Sequence, residues 1–223
     1  MLISDPDSLR RECEQAVDDD VCALDVEFVR RSTYMPRTSL IQMATHTDRP
    51  LLCDVKELDD LSPFAGLLQD RSVLKVLHAC SQDLEVFDLL LDTLPRPLFD
   101  TQVAAAFCGL GHQCGFSTLV TDCLGRTHSK RQQQSNWMRR PLSPGQIEYA
   151  ERDALYLLEA YTVIRAQLEE RGRLDWVLQE CAARVDDFHR QQRRNSGVNR
   201  IRGTGRLTQI GRASCRERVC HRV

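Results

Sequence analysis

The segment Cys22-Ala23-Leu24-Asp25-Val26-Glu27-Phe28-Val29 decides the fold class of this chain. Its residues alternate between two faces, as the side chains of a β-strand do, with Asp25 and Glu27 on the same face. Two further apolar segments, residues 40–44 and 51–55, follow after short polar connections. Three consecutive strands with short connections predict an antiparallel meander.

Beyond the meander, segments with the apolar spacing of helices alternate with two short apolar strands. This alternation predicts an α/β protein with a mixed five-stranded sheet flanked by helices. Ser81 is the expected cap of one helix, and Ser143, followed by Pro144 and Gln146, predicts the start of a longer one. The last two predicted strands are 73–78 and 95–100, and the predicted helices are 8–17, 58–68, 83–91, 102–108, 116–124, 144–167 and 174–188.

The composition excludes several classes of protein. Hydrophobic residues make up 42% of the chain and charged residues 28%, which is typical of a soluble globular protein and not of a fibrous or disordered one. No apolar run approaches the roughly 20 residues that a membrane-spanning helix needs. The N-terminal region is too highly charged for a secretory signal, so we expect a cytoplasmic protein that does not bind membranes.

Charge is divided unevenly along the chain. The formal net charge is −2, but residues 1–189 carry −11 and residues 190–223 carry +9. An acidic domain is poorly suited to binding duplex nucleic acid by neutralising phosphates alone. It is better suited to a site in which carboxylates surround cations. The ten cysteines include no C-x-x-C pair, so we expect reduced, mostly buried thiols and not a zinc site.

Asp25 and Glu27 are the first candidates for chemistry. Their i, i+2 spacing on a strand places two carboxylates within a few ångströms, where they repel unless cations lie between them. An exposed edge strand with a polar face is the alternative explanation. The first strand of an α/β sheet is usually central and buried, which favours a site.

Two further segments carry candidate residues. Asp83 follows the predicted strand that ends at His78 and lies in the first turn of the next helix, where a negative charge is also favourable for structural reasons alone. Tyr149 and Asp153 share one face of the long helix through their i, i+4 spacing, although a half-buried tyrosine beside an exposed aspartate would give the same pattern. We interpret His78 as a core residue.

Taken together, these segments resemble the three exonuclease motifs of the DEDD superfamily, in its tyrosine-containing branch. The matching patterns are D-x-E in the first strand, H-A-x-x-x-D at a strand-to-helix turn and Y-A-x-x-D in a late helix. Longer stretches are similar to the ribonuclease D family over residues 21–175. Among them are A-L-D-V-E-F-V-R, V-L-H-A-C-S-Q-D-L-E-V-F and P-L-S-P-G-Q-I-E-Y-A-E-R-D-A-L-Y-L-L.

The resemblance implies an RNase H-like fold and a metal-dependent 3′-5′ exoribonuclease. Asp25, Glu27, Asp83 and Asp153 would bind two divalent cations, Mg²⁺ or Mn²⁺, and Tyr149 would orient the attacking water. The product would be nucleoside 5′-monophosphates, released from RNA with an accessible 3′ end, such as a tRNA precursor. No obligate protein partner is implied. A DNA exonuclease of the same superfamily and a non-catalytic RNA-binding domain are the alternatives; recognition of the 2′-hydroxyl would separate RNA from DNA.

The polar segment 127–140 before the long helix offers contacts for RNA. An aromatic side chain among basic residues suits the stacking of an unpaired base, although anchoring of the loop to the protein body is an equally good explanation for Trp137. Phe28 could wedge against a terminal base, but core packing is the more natural role. The basic candidates are Lys130, Arg131, Arg139 and Arg140.

The arginine-rich C-terminal part differs in composition from the rest. Residues 198–207 resemble the entry to the helical HRDC module of ribonuclease D. Residues 210–219 resemble the translation of a sequencing adapter, although a natural RNA-binding tail would have the same composition. We therefore predict an exonuclease domain at 1–189, a basic linker with the start of an HRDC module at 190–209, and a non-native tail at 210–223.

Overall fold

The computed structural model describes residues 2–30, 33, 35–46 and 49–195. Most of the predicted basic linker and the whole of the predicted non-native tail lie outside the described residues. Within the described part of the chain, no helix combines the length and apolar character needed to cross a membrane.

One mixed sheet forms the centre of the molecule. Its six strands are β1 (Leu2–Ile3), β2 (Val21–Val29), β3 (Arg37–Ala44), β4 (Leu51–Asp54), β5 (Leu74–Leu77) and β6 (Leu98–Asp100). They lie in the order β1-β4-β3-β2-β5-β6; β3 is antiparallel to both of its neighbours, β2 and β4, and the other neighbouring pairs are parallel. The predicted meander and mixed sheet are therefore confirmed.

The predicted number of five strands was wrong by one edge strand. β1 has only two residues, and it pairs in parallel with Leu52 and Cys53 of β4. A two-residue strand has no periodicity of its own. The sequence therefore carries no local signal for it, and only the tertiary pairing with β4 defines it.

Seven helices flank the sheet among the described residues. They are α1 (Pro6–Asp18), α2 (Ser62–Gln69), α3 (Ser81–Leu91), α4 (Thr101–Cys108), α5 (Phe116–Leu124), α6 (Pro144–Glu170) and α7 (Leu174–Asn195). The longest, α6, begins with the predicted capping box: the Ser143 side chain accepts from the Gln146 backbone, and the Gln146 side chain accepts from the Ser143 backbone.

The predicted cap of α3 was wrong. Ser81 is the first helical residue, and the cap position is taken by Cys80, whose side chain makes no capping bond. Asp100, at the end of the neighbouring strand β6, accepts instead from the backbone N–H groups of Ala79 and Cys80, at 3.0 and 3.1 Å. A carboxylate from another element thus takes over the role of a local cap.

The central position of β2 matters most for the site. β2 pairs with β3 on one side and β5 on the other, so Asp25 and Glu27 do not lie on an edge strand. A register shift between Glu27 and Phe28 interrupts the pairing with β3. Such bulges bend a strand and re-aim its side chains.

Cysteine behaves as expected in the described residues. All eight described cysteines are free, and all except Cys123 are buried. Burial raises the pKa of these thiols, for example to about 12 in Cys181, so they remain protonated. Cys215 and Cys220 lie outside the described residues.

Candidate active site

A cavity of about 470 Å³ opens where β2, the start of α3, α5 and α6 meet. Its wall includes all five residues that the sequence singled out. These are Asp25, Glu27, Asp83, Tyr149 and Asp153.

Three of the four carboxylates form a tight group. Oxygen atoms of Asp25, Glu27 and Asp153 lie within 4.8 Å of one another, which is close enough for one cation to bridge them. Asp83 lines the same cavity from the first turn of α3 but lies outside this tight group. Strand β2 thus supplies two carboxylates, helix α6 supplies the third, and the buried Asp83 adds a fourth on the same cavity wall.

Crowding and burial disfavour ionisation of the two strand carboxylates. Burial, followed by the charges of Asp153 and Asp83, raises the pKa of Asp25 well above its usual range. Burial, followed by the charges of Asp25, Asp153 and Asp83, raises the pKa of Glu27 to about 10. Without an added positive charge, these groups cannot all be ionised at neutral pH.

The other two carboxylates differ in what surrounds them. Burial and the nearby Asp100 raise the pKa of Asp83 to about 7. Burial also raises the pKa of Asp153, but hydrogen bonds from His128 and Tyr149 work in the opposite direction. Asp153 is therefore the carboxylate of this site that side-chain donors stabilise.

The donor set fits a hard divalent cation. Every candidate ligand is a carboxylate oxygen, the type that Mg²⁺ and Mn²⁺ prefer. A cation would also supply the positive charge that the crowded carboxylates need. Cys80 is buried and carries a sulfur, a ligand that such cations avoid, so we assign it no part in cation binding.

Tyr149 lies one turn before Asp153 on α6. Its hydroxyl makes a hydrogen bond with the Asp153 carboxylate, and burial followed by the Asp153 charge raises the tyrosine pKa well above its usual range. Tyr149 is therefore a neutral donor at physiological pH. Glu148 and Arg152 pair with each other on the exposed face of the same helix, as expected for solvated charges.

His128 is a site residue that the sequence reasoning missed. Its side chain is only 4% exposed, and its Nε2 atom lies within hydrogen-bonding distance of Asp153 Oδ1. The ring lines the cavity. An isolated histidine in a polar segment carries no periodic signal, so its position could not be predicted from the pattern alone.

Trp137 is an anchor and not an exposed stacking platform. Its side chain is 1% exposed and packs in a small cluster with Leu40, Leu52 and Leu142. Of the two explanations that the sequence left open for Trp137, its burial supports anchoring of the loop and not stacking on an unpaired base. Its apolar neighbours in β3 and β4 offer a dry site for the indole, which favours burial.

The basic residues of the loop divide into two kinds. Lys130 is exposed and lines the cavity. Arg140 is directed away from it, because its guanidinium binds both oxygens of Asp54 and donates to the Ser39 backbone carbonyl. Arg131 and Arg139 are exposed and lie outside the cavity wall.

Phe28 and His78 each contact the protein interior and also line the cavity. Phe28 is half-buried, packs against the core and also lines the cavity. His78 Nδ1 lies 3.0 Å from Thr101 Oγ1, whereas Nε2 is buried without a hydrogen-bond partner among the described residues, and the ring borders the cavity. Burial lowers the pKa of His78, so the ring is neutral.

Comparison with known families defines the class to which this fold belongs. A family model described as 3′-5′ exonuclease matches residues 1–169. The chain belongs to this 3′-5′ exonuclease family, and its mixed sheet with flanking helices is RNase H-like.

Within that class, the chain is similar to ribonuclease D. Ribonuclease D of Acidiphilium cryptum is 39% identical over 186 residues, covering 83% of this chain and 47% of that protein. Ribonuclease D of Escherichia coli is 39% identical over 191 residues, covering 86% of this chain and 50% of that protein. The chain thus spans about half the length of the curated relatives that it matches.

Solved structures agree on the fold. The crystal structure of E. coli RNase D, described as an exoribonuclease involved in structured RNA processing, superimposes with a TM-score of 0.81 at 38% identity, covering 84% of this chain and 50% of that one. The catalytic core of RRP6 from Trypanosoma brucei superimposes with a TM-score of 0.76 over 81% of this chain and 50% of that one. At 22% identity, that second likeness supports the fold alone.

Proposed function

We propose that this chain is a metal-dependent 3′-5′ exoribonuclease of the ribonuclease D type. The observation that carries the proposal is the meeting of Asp25, Glu27 and Asp153 within 4.8 Å, with Asp83 and Tyr149 on the same cavity wall, in a 3′-5′ exonuclease fold. The products are nucleoside 5′-monophosphates.

Four carboxylates would hold the cations, which we take to be two Mg²⁺ or Mn²⁺ ions: Asp25, Glu27, Asp83 and Asp153. When bound, such ions lower the pKa of water and offset charge that develops on the leaving oxygen. The raised pKa of Glu27, about 10, supports this proposal, because a site built for cations is poorly ionised without them.

Tyr149 positions the attacking water in this proposal. Its protonated hydroxyl can accept a hydrogen bond from a water while donating to Asp153. It does not act as the general base, because its raised pKa keeps the phenol protonated. Its contribution is orientation along the line of attack.

The RNA strand would enter the cavity by an unpaired 3′ end. Lys130 offers a cation for a phosphate at the rim, and Phe28 offers an aromatic face for the last base. The cavity of about 470 Å³ is of a size to hold the terminal nucleotides and not a duplex. Precursors of tRNA, with single-stranded 3′ extensions, are the substrates we favour, and the cytoplasm is the compartment.

Digestion of 5′-labelled oligonucleotides tests the direction and the substrate. With Mn²⁺, a single-stranded RNA should shorten as a ladder from its 3′ end, and a DNA of the same sequence should be degraded more slowly. The Asp25→Asn protein is the matched control and should leave both substrates intact. Internal cuts at early times would contradict the exonuclease assignment, and faster digestion of DNA would replace RNA by DNA as the substrate.

A further inference from the structure

His128 makes the contact that distinguishes Asp153 from the other carboxylates of the cavity. The histidine belongs to the segment between α5 and α6, and it reaches Asp153 Oδ1 across 25 positions of sequence. Both side chains are nearly buried, with 4% of His128 and 7% of Asp153 exposed. The bond is therefore shielded from competition by bulk water.

The imidazole ring is held by aromatic side chains on several sides. Phe116 of α5 meets it edge-on, with ring centroids 5.1 Å apart, and Tyr156 of α6 does so at 6.2 Å. Tyr149 lies against it at 5.4 Å. Packing of this kind restricts rotation of the ring, so Nε2 points at Asp153 with little freedom.

The direction of the hydrogen bond follows from the chemistry of a ligand carboxylate. A carboxylate that binds a cation is ionised and can only accept, so Nε2 must carry the proton and donate. The other nitrogen, Nδ1, is buried and has no hydrogen-bond partner among the described residues. Nε2 is therefore the ring nitrogen assigned as the donor to Asp153, on the basis of its partner.

We propose that His128 is a positioning residue that fixes the orientation of the Asp153 carboxylate for cation binding. The inference deepens the proposed function and rests on it. Donors behind a metal-binding group hold its orientation and typically change metal affinity or activity by about 10–100-fold when they are removed. Tyr149 also donates to Asp153, but in the proposed function its hydroxyl is shared with the attacking water. His128 is the donor that serves the carboxylate alone, so its loss should affect cation binding most.

A role in packing alone is the competing explanation, because the ring fills space between α5 and α6. Substitutions at this one position separate the two explanations. His128→Leu keeps much of the apolar volume and removes the donor. His128→Gln keeps an amide nitrogen at about the reach of Nε2, whereas the amide of His128→Asn is one bond shorter.

Direct Mn²⁺ binding to the purified protein, measured by the loss of the free-ion electron paramagnetic resonance signal, tests the proposal. We expect His128→Leu and His128→Asn to weaken Mn²⁺ binding by about 10–100-fold and His128→Gln to remain close to wild type. His189→Leu, the same substitution at an exposed position of α7, should bind as wild type does. The affinity for RNA in the absence of metal should be the same in all of them.

Two results would overturn the positioning role. One is wild-type Mn²⁺ affinity in His128→Leu; the other is equal weakening in the Gln, Asn and Leu variants, which would indicate packing alone. If His128→Leu does not fold, the comparison of Mn²⁺ affinity between His128→Gln and His128→Asn still separates positioning from packing. Failure of the proposed function would look different, since Mn²⁺ would then bind equally to the wild type and to Asp25→Asn, and this inference would fall with it.

Discussion

Tyr149 and Asp153 are adjacent on one face of α6 but should contribute to catalysis in different ways. Asp153 offers a charged oxygen to a cation, whereas Tyr149 offers a neutral hydroxyl that the site keeps protonated. A substitution that removes only the hydroxyl should therefore leave the charge of the site unchanged. This difference can be measured.

We expect Tyr149→Phe to lower turnover by about ten- to a thousand-fold, the cost of losing an orienting hydrogen bond of roughly 1.4–4 kcal/mol. Mn²⁺ affinity and RNA affinity should change little, because His128 still donates to Asp153 and the ring still packs against His128 and Trp137. Asp153→Asn should instead weaken Mn²⁺ binding itself. A metal titration of turnover compares the two variants. Equal increases in the metal requirement would show that Tyr149 is not an orienting residue.

At the level of elements, the segment that carries His128 and Lys130 is fixed at its far end. Arg140 binds the buried Asp54 of β4, and the same guanidinium donates to the backbone carbonyls of Ser39 and Trp137. The Arg140 side chain is 16% exposed and the Asp54 side chain 3% exposed. This ion pair links the loop before α6 to the edge half of the sheet.

Removing one partner of this pair should cost more than removing both. Arg140→Met leaves the Asp54 charge buried without its partner, so we expect a loss of about 3–5 kcal/mol in the free energy of unfolding by urea. The double variant Asp54→Leu with Arg140→Met should recover part of that loss. Arg139→Met, at the exposed neighbouring position, should lie within about 0.5 kcal/mol of wild type. A loss for Arg140→Met no larger than that control would contradict a structural role for the pair.

The elements show how far the sequence determines this structure. The strands β2 to β6 and the seven helices were predicted because each has its own apolar period or cap signal. β1 and the capping of α3 by Asp100 were not, because both depend on residues far apart in the chain. The same holds in the site. The i, i+2 and i, i+4 pairs were predicted, but the contact of His128 with Asp153 and the burial of Trp137 are tertiary events with no local pattern.

For the whole molecule, the crowded carboxylates make stability depend on pH and metal. A carboxyl whose pKa is raised on folding stabilises the protein below its unfolded pKa, and that contribution is lost as pH rises through the folded value. The pH range over which this contribution is lost is set by the unfolded and folded pKa values. These are 4.5 and about 10 for Glu27, and 3.8 and about 7 for Asp83. These two carboxyl groups therefore favour the folded state of the metal-free protein over its unfolded state at acidic pH.

We expect the metal-free protein in chelator to lose thermal stability between pH 6 and pH 9 through these groups, and Glu27→Gln to show a shallower loss. Added Mn²⁺ should raise the melting temperature more at the higher pH, because protons and cations compete for the same oxygens. Thermal unfolding followed by circular dichroism at several pH values provides the comparison. A slope that is identical in wild type and Glu27→Gln would show that this carboxylate is not crowded as described.

The chemical identity of the product tests the central claim most directly. RNA is digested by the purified protein with Mn²⁺ in water labelled with heavy oxygen, and the released mononucleotides are analysed by mass spectrometry. We predict nucleoside 5′-monophosphates that carry one heavy oxygen on the phosphate, formed by the wild type and absent with chelator or with Asp25→Asn. Nucleoside 3′-phosphates or 2′,3′-cyclic phosphates, or release that persists without metal, would contradict the account.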